Sequence, residues 1–273
     1  KFVQGQSGQF NEAKKALRDQ LDRLKSLVLT KSNLTVNLTA DTEGLKLVKE
    51  GIGTLLDKLA EGKPGAKAAD PALETVCAGI AVPTQVSYVA RAMKAPAYTD
   101  PAAALLMLAS RELSNSYLYK HIRVQGGAYG GMSSFDTSMG IFSFLSYRDP
   151  HIVETLQVFE EAQAFYSREE LPADDMAKAV ISTLSALDKP LDPSGRGYVA
   201  MMRHFARASD SLRQAFRDRI FEATPTAVKD ALANYFAKAA SDRAVAVYAA
   251  QEKLEEANRQ LAEKLNLEKL SEM

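Results

Sequence analysis

The amino-acid sequence predicts an α+β domain in which an antiparallel-dominated sheet has helices layered on one face. Segments with strand character are concentrated before residue 150, and one further strand returns near the C-terminus. Segments with helical periodicity dominate the stretch between them. This order differs from the regular strand–helix alternation of a parallel α/β protein, and it favours the α+β class.

Five segments are predicted to form strands of one sheet, because they are rich in β-branched and aromatic residues or alternate between apolar and polar side chains. They are Leu34–Ala40, Gln85–Ala90, Gly130–Asp136, Gly140–Tyr147 and Arg243–Ala249.

Eight segments with apolar residues three to four positions apart are predicted to be helices. Three of them follow Asp100-Pro101, Asp149-Pro150 and Thr224-Pro225, in which an oxygen side chain precedes a proline at the first helical position. The eight are Asn11–Leu29, Gly44–Leu59, Pro101–Arg123, Pro150–Glu169, Ala173–Leu187, Arg196–Phe221, Pro225–Ala239 and a charged helix from Gln251 to Met273. A loop is predicted at residues 61–70, which are rich in glycine, lysine and alanine.

Composition excludes several classes of function. The chain has 34 Lys and Arg against 34 Asp and Glu, and this zero formal charge argues against a nucleic-acid-binding protein. No apolar run reaches the roughly 18–20 residues that a membrane-spanning helix needs, so no membrane partner is expected. The single cysteine, Cys77, cannot form an internal disulfide or build a structural zinc site, and its apolar neighbours indicate a structural role.

Common catalytic motifs are missing from the sequence. There is no Gly-x-Ser-x-Gly turn, no dinucleotide fingerprint and no P-loop. The three histidines, His121, His151 and His204, are thirty or more residues apart. His151 begins a pattern like His-x-x-Glu-His, but Thr155 stands at the second ligand position, so His151 and Glu154 are interpreted as first-turn helix residues. The chain is therefore predicted to carry no catalytic metal of its own.

One segment requires a specific backbone explanation. Residues 126–131 contain four glycines, which lose more conformational entropy on folding than other residues. They would end the long helix and let the chain turn into a strand. Arg123 would then lie in the last helical turn and Tyr129 just past the glycines, so that both donors could serve a peptide carbonyl or its developing oxyanion. The alternative is an arginine that caps the helix and a tyrosine that packs on the sheet.

These residues carry a family resemblance. Residues 122–130 (IRVQGGAYG), 142–150 (FSFLSYRDP) and 154–156 (ETL) closely resemble the last domain of the pitrilysin-type zinc metallopeptidases. More narrowly, the sequence is similar to the presequence protease group and its bacterial relatives, with falcilysin more distant. The stretches at residues 88–90, 98–101 and 244–248 also fit, and the resemblance covers roughly residues 34–250.

The resemblance implies the final quarter of a larger enzyme. Such proteases have four homologous α+β domains in two halves, which close around a chamber that takes unfolded peptides. Zinc would be bound in the missing N-terminal half by an inverted His-x-x-Glu-His motif, and none in this chain. Residues 1–30 are expected to be the helical tail of the preceding domain or a linker, and residues 31–273 the fourth domain. Separated from its partner half, the fragment is expected to expose apolar surface that favours self-association.

The resemblance also assigns roles to the two donors. Arg123 and Tyr129 occupy the family's arginine and tyrosine positions, which bind the substrate carbonyl and stabilise the oxyanion. The chain is thus expected to be a catalytic and substrate-binding contributor that is inactive alone, in a bacterial cytoplasm or, alternatively, a mitochondrial matrix or plastid stroma. Rival hypotheses are a non-catalytic structural or interaction subunit of a pitrilysin-type complex, and an independent binding module.

Overall fold

The computed structural model describes residues 10–62, 76–168, 171–239 and 243–269. These residues fall into two compact units. The first comprises residues 10–62 together with 191–202, and the second contains the other described residues. None of the described helices combines the length and the apolar character needed to cross a membrane.

The first unit is helical. It contains α1 (Phe10–Val28), a short 3-10 turn (Lys31–Asn33), α2 (Thr42–Leu56) and most of α6 (Pro193–Phe205). Asp41 caps α2, since its carboxylate accepts a hydrogen bond from the backbone N–H of Gly44 at 2.7 Å.

The predicted strand Leu34–Ala40 is wrong. These residues form no strand, and the side chains of Leu34 and Val36 remain 42% and 45% exposed. The segment is held instead by Asn37, whose amide donates to the carbonyl of Gly197 at 2.6 Å. Alternating polarity indicates two differently solvated faces, but a strand also needs a neighbouring backbone to pair with, and this segment has none among the described residues.

The second unit contains six strands and most of the helices. Its strands are β1 (Cys77–Ala81), β2 (Ser87–Lys94), β3 (Gly130–Asp136), β4 (Ile141–Asp149), β5 (Arg243–Ala249) and β6 (Asn266–Lys269). Its helices are α3 (Ala102–Asn115), a π-helical segment (Tyr119–Gln125), α4 (Val153–Arg168), α5 (Ala173–Leu187), α7 (Asp210–Phe221), α8 (Pro225–Ala239) and α9 (Gln251–Gln260).

The sheet is mostly antiparallel, as the sequence predicts. Its strand order is β3-β4-β2-β5-β1-β6. The pairings β3–β4, β4–β2 and β2–β5 are antiparallel, whereas β1 lies parallel to both β5 and β6. The returning strand β5 therefore belongs to the same sheet as β4, two positions away.

Alternation along β2 and β4 separates the two faces of the sheet. Phe142 and Phe144 are fully buried on the face that the helices cover. Phe144 stacks on Phe159 of α4 at 5.3 Å and on Phe236 of α8 at 5.7 Å between ring centroids. The opposite face carries three tyrosines that are partly or largely exposed. These residues are Tyr88, Tyr147 and Tyr248.

The predicted helix Pro101–Arg123 is interrupted. After α3 the chain bends at Ser116, whose φ and ψ are −115° and −83°. Both the N–H and the hydroxyl of Ser116 bond to the carbonyl of Glu112, at 2.9 and 3.0 Å. Such side-chain bonding back to the helix bends it, and the chain resumes as the π-helical segment that carries Arg123.

Two further predicted helices end earlier than expected. The single helix Arg196–Phe221 is two helices, because Arg207 adopts a left-handed φ of 53° and Ser209 then caps α7. The C-terminal helix stops at Gln260, where the side chain of Asn258 exchanges two hydrogen bonds with the backbone of Leu265. That exchange turns the chain into β6, a strand that sequence periodicity did not predict. Most of the predicted loop at residues 61–70 lies outside the described residues.

Candidate substrate-contacting site

The candidate site lies where the π-helical segment meets β3. Buried Ile122 anchors the segment, and Gly127 continues the chain with a left-handed φ of 74°. The last turn is closed by backbone bonds from Gly127 N–H to the Arg123 carbonyl and from Ala128 N–H to the Ile122 carbonyl, both 3.1 Å. Arg123 and Tyr129 therefore flank a tight turn, as the glycine pattern predicts.

Two of the glycines permit close packing. A Cβ atom on Gly126 would lie 2.7 Å from the Ile122 carbonyl oxygen, and one on Gly131 would lie 2.7 Å from the Cβ of Ile122. Gly130 has more room, since the nearest neighbour of an added Cβ would be the Met132 methyl group at 3.5 Å. The close approach of the π-helical segment to β3 thus depends on Gly131 rather than on Gly130.

The side chains of Arg123 and Tyr129 are exposed and adjacent. The Arg123 guanidinium carbon lies 5.5 Å from the ring centroid of Tyr119 and 5.8 Å from that of Tyr129, within cation–π range. Tyr129 is 65% exposed. Neither the Tyr129 hydroxyl nor the Arg123 guanidinium has a hydrogen-bond partner among the described residues. Both donors are therefore available to an acceptor from outside this chain.

The backbone of Tyr129 is held by β4. Its N–H donates to the carbonyl of Tyr147 at 3.1 Å and approaches that of Arg148 at 3.4 Å. Its ring meets the ring of Tyr147 edge to face, with centroids 5.8 Å apart and planes at 70°. Tyr147 in turn contacts Tyr88 in the same manner at 5.4 Å. The exposed phenol of Tyr129 is thus fixed at its base by neighbouring aromatic residues.

The geometry can present two hydrogen-bond donors to one oxygen atom. A phenol O–H and a planar guanidinium beside each other, with apolar rings around them, suit a peptide carbonyl whose negative charge increases during reaction. The titratable neighbour His121 packs on Tyr117 at 4.5 Å between ring centroids, and burial lowers its pKa. The two donors themselves can bind and stabilise an oxygen atom that carries negative charge.

Among the described residues, no group of three or more His, Cys, Asp and Glu side chains could hold a metal ion. The His151 ring approaches Glu154 at 3.7 Å, and His204 contacts the ring of Phe205. Glu154 lies in the first turn of α4 as expected, whereas His151 precedes that helix, and its backbone N–H donates to Asp149 at 2.9 Å. The Cys77 thiol donates to the Glu263 carboxylate at 3.2 Å. Burial, and to a smaller extent this hydrogen bond, raises the pKa of the thiol. The described residues do not fit a zinc site.

Sequence reasoning missed two aromatic residues of the site. Tyr119 and Arg123 are four residues apart, a spacing that already puts two side chains on one face of a helix, and the Arg123 guanidinium carbon lies 5.5 Å from the Tyr119 ring centroid. Tyr147 belongs to the motif at residues 142–150, but that motif alone predicts no site role for it. Pairing the strands Gly130–Asp136 and Gly140–Tyr147 through their short turn would have placed Tyr147 opposite Gly130, beside Tyr129.

The fold defines a class of protein. It resembles the inactive peptidase M16 domain from Pseudomonas fluorescens with a TM-score of 0.61 and 17% identity, over 85% of this chain and 57% of that one. It also resembles pitrilysin, with a TM-score of 0.52 and 14% identity over 84% of this chain and 25% of pitrilysin. The architecture is that of a pitrilysin-type peptidase domain.

Sequence comparison gives the particular family. The family profile described as "PreP C-terminal domain" matches residues 78–248. The chain is 32% identical over 217 residues to presequence protease 1, chloroplastic/mitochondrial, of Arabidopsis thaliana, a match that covers 78% of this chain and 20% of that protein. It is 28% identical to the mitochondrial presequence protease of Saccharomyces cerevisiae over 75% of this chain and 21% of that protein. The chain belongs to the presequence protease C-terminal domain family, and it spans about a fifth of the length of these relatives.

Proposed function

We propose that this chain is the substrate-positioning C-terminal domain of a zinc-dependent peptidase that degrades unfolded peptides in a closed chamber. The observation that carries the proposal is the pair of exposed, adjacent donors at the end of the π-helical segment. Arg123 and Tyr129 lie side by side with polar atoms that no described residue pairs, so one acceptor from outside the chain can reach both donors. Membership of the presequence protease family supports the same function.

In this proposal, the two donors act on the peptide carbonyl at the scissile bond. The Tyr129 hydroxyl donates to the carbonyl oxygen, and the Arg123 guanidinium, held beside it by the ring of Tyr129, offers a second donor. As the carbonyl carbon is attacked, negative charge accumulates on that oxygen, so both hydrogen bonds strengthen toward the transition state. The chain thereby stabilises the transition state more than the bound substrate.

Activation of water falls to another part of the enzyme. A zinc ion bound by the N-terminal half would lower the pKa of the attacking water. No group of three or more His, Cys, Asp and Glu side chains among the described residues could hold that ion, so the chain is expected to be inactive alone and to require that half as its partner. Residues 1–30 would belong to the preceding domain or linker, and residues 31–273 to the fourth domain.

The cellular compartment is also part of the proposal. The relatives named above are chloroplastic or mitochondrial by name, which supports the alternative of a mitochondrial matrix or plastid stroma. The bacterial cytoplasm expected above stays a prediction.

A lysine substitution in the full-length protease tests this function. Arg123→Lys keeps the charge but loses the planar fork, so we expect kcat/KM for an unfolded peptide to fall by about tenfold or more. Arg111→Lys, an exposed arginine on α3, is the matched control and should hydrolyse the peptide at the original rate. Unchanged hydrolysis by Arg123→Lys would favour the rival hypothesis of a non-catalytic structural subunit.

A further inference from the structure

We propose that Tyr147 is the positioning residue for Tyr129, and that the irregular end of β4 exists to seat that phenol. The inference rests on the proposed function of Tyr129. It begins with the pairing of β2 and β4, whose register shifts between Ser87 and Val89. Ser87 pairs with Asp149 and Val89 with Ser146, so that two residues of β4, Tyr147 and Arg148, oppose the single residue Tyr88.

This arrangement is a β-bulge. Arg148 adopts a left-handed φ of 51°, which is unfavourable for a residue with a side chain. Bulges of this kind re-aim side chains next to functional sites. Here the bulge turns two consecutive carbonyls, those of Tyr147 and Arg148, toward the same donor, the N–H of Tyr129.

The ring of Tyr147 adds a second constraint. It meets the Tyr129 ring edge to face at 5.8 Å, and its own position is fixed by the edge contact with Tyr88 at 5.4 Å. The Tyr129 side chain is 65% exposed, and its other ring contact is the Arg123 guanidinium at 5.8 Å, so the Tyr147 ring is the aromatic neighbour that restricts its χ1 and χ2 rotamers. Tyr147 therefore restrains Tyr129 twice: its carbonyl accepts from the Tyr129 backbone N–H, and its ring contacts the Tyr129 ring.

A positioning role makes a specific kinetic prediction. The hydroxyl of Tyr147 has no part in it, so the ring edge and the backbone geometry should suffice. A misplaced donor weakens transition-state stabilisation far more than ground-state binding, and a displacement of about 1 Å can cost about 10²-fold in rate. Loss of the Tyr147 ring should lower kcat and leave KM nearly constant.

The experiment uses the full-length protease and an unfolded peptide substrate. Tyr147→Ala and Tyr147→Leu should each lower kcat by about tenfold or more with KM within about twofold, whereas Tyr147→Phe should retain kcat within about twofold. The leucine variant keeps the bulk that the strand needs and guards against a folding defect. Tyr248→Ala is the matched control, because Tyr248 is an exposed tyrosine of the same face on β5 and should leave kcat unchanged.

A double variant separates positioning from an independent contribution. Because Tyr147 acts through Tyr129, adding Tyr147→Ala to Tyr129→Phe should cost little beyond Tyr129→Phe alone. Multiplicative losses, an unchanged kcat in Tyr147→Leu, or a Tyr147→Phe variant as slow as Tyr147→Ala would each overturn the positioning role. Full activity of Tyr129→Phe would remove the proposed function as well, so the two failures are distinguishable.

Discussion

Substitution of Gly131 by alanine tests whether the site depends on the close contact between the π-helical segment and β3. The added Cβ would lie 2.7 and 2.9 Å from two side-chain carbons of Ile122 and 3.0 Å from the Leu118 carbonyl oxygen. Ordinary contacts begin near 3.4 Å, so the segment must move by about 0.5–1 Å or strain. Overpacking of this size costs about 1–3 kcal/mol, and the lower entropy of the unfolded alanine chain offsets about 0.4–1 kcal/mol.

We therefore expect Gly131→Ala to lower the free energy of unfolding by about 1–2 kcal/mol. Urea unfolding of this chain, followed by far-ultraviolet circular dichroism, measures that change. Gly130→Ala is the matched control: its Cβ meets nothing closer than 3.5 Å, so its unfolding free energy should be unchanged or slightly higher. Equal effects of the two substitutions would refute the packing account of the site.

Three further predictions concern Glu112, Cys77 and zinc. Burial raises the pKa of Glu112 to about 7, above its unfolded value, so the folded protein loses stability as pH rises from about 4.5 to 7. Glu112→Gln should remove that loss and gain about 1–3 kcal/mol over the original chain near pH 8, but not near pH 5, in urea unfolding. The buried Cys77 thiol should react with iodoacetamide at least about tenfold more slowly in the folded chain than in urea; equal rates would contradict its burial. Elemental analysis of the purified chain should find no stoichiometric zinc, and one tightly held ion per chain would disprove the expectation.

Much of the fold could be predicted because local signals agreed with tertiary structure. Helices α5 and α8 and strands β3 and β5 have the predicted bounds. Alternation was also informative in β4, where buried Phe142 and Phe144 alternate with partly buried neighbours. Thr224 caps α8 through the N–H of Ala227, as its position before a proline predicts.

Two wrong helix boundaries arose where a side chain forms hydrogen bonds with the backbone. Ser116 bonds to the Glu112 carbonyl and interrupts the long helix, and Asn258 binds the backbone of Leu265 and ends α9. Such contacts leave no periodic signal in a sequence. The strand β1 (Cys77–Ala81) was missed for a different reason: it is short, and its three buried residues show no alternation.

The placement of Arg123 and Tyr129 beside the turn could be predicted, but the contacts that hold them could not, and the role of the two residues stays a prediction. Arg123 and Tyr129 followed from the glycine turn and from the family resemblance. The contact between Tyr129 and Tyr147 depends on a β-bulge and on the left-handed conformation of Arg148. No residue pattern predicts that conformation, since arginine rarely adopts it.

Hydrolysis of an unfolded peptide by the full-length protease carrying Tyr129→Phe tests the central claim most directly. Removal of one hydrogen-bond donor to the oxyanion of the transition state typically lowers the rate by about 10²- to 10³-fold. We therefore expect kcat/KM to fall by about 10²-fold or more while circular dichroism shows an intact fold. Tyr248→Phe, which removes an exposed hydroxyl from the same face of the sheet, should leave kcat/KM unchanged. Near-normal hydrolysis by the Tyr129→Phe enzyme would contradict the claim and return both Arg123 and Tyr129 to structural roles.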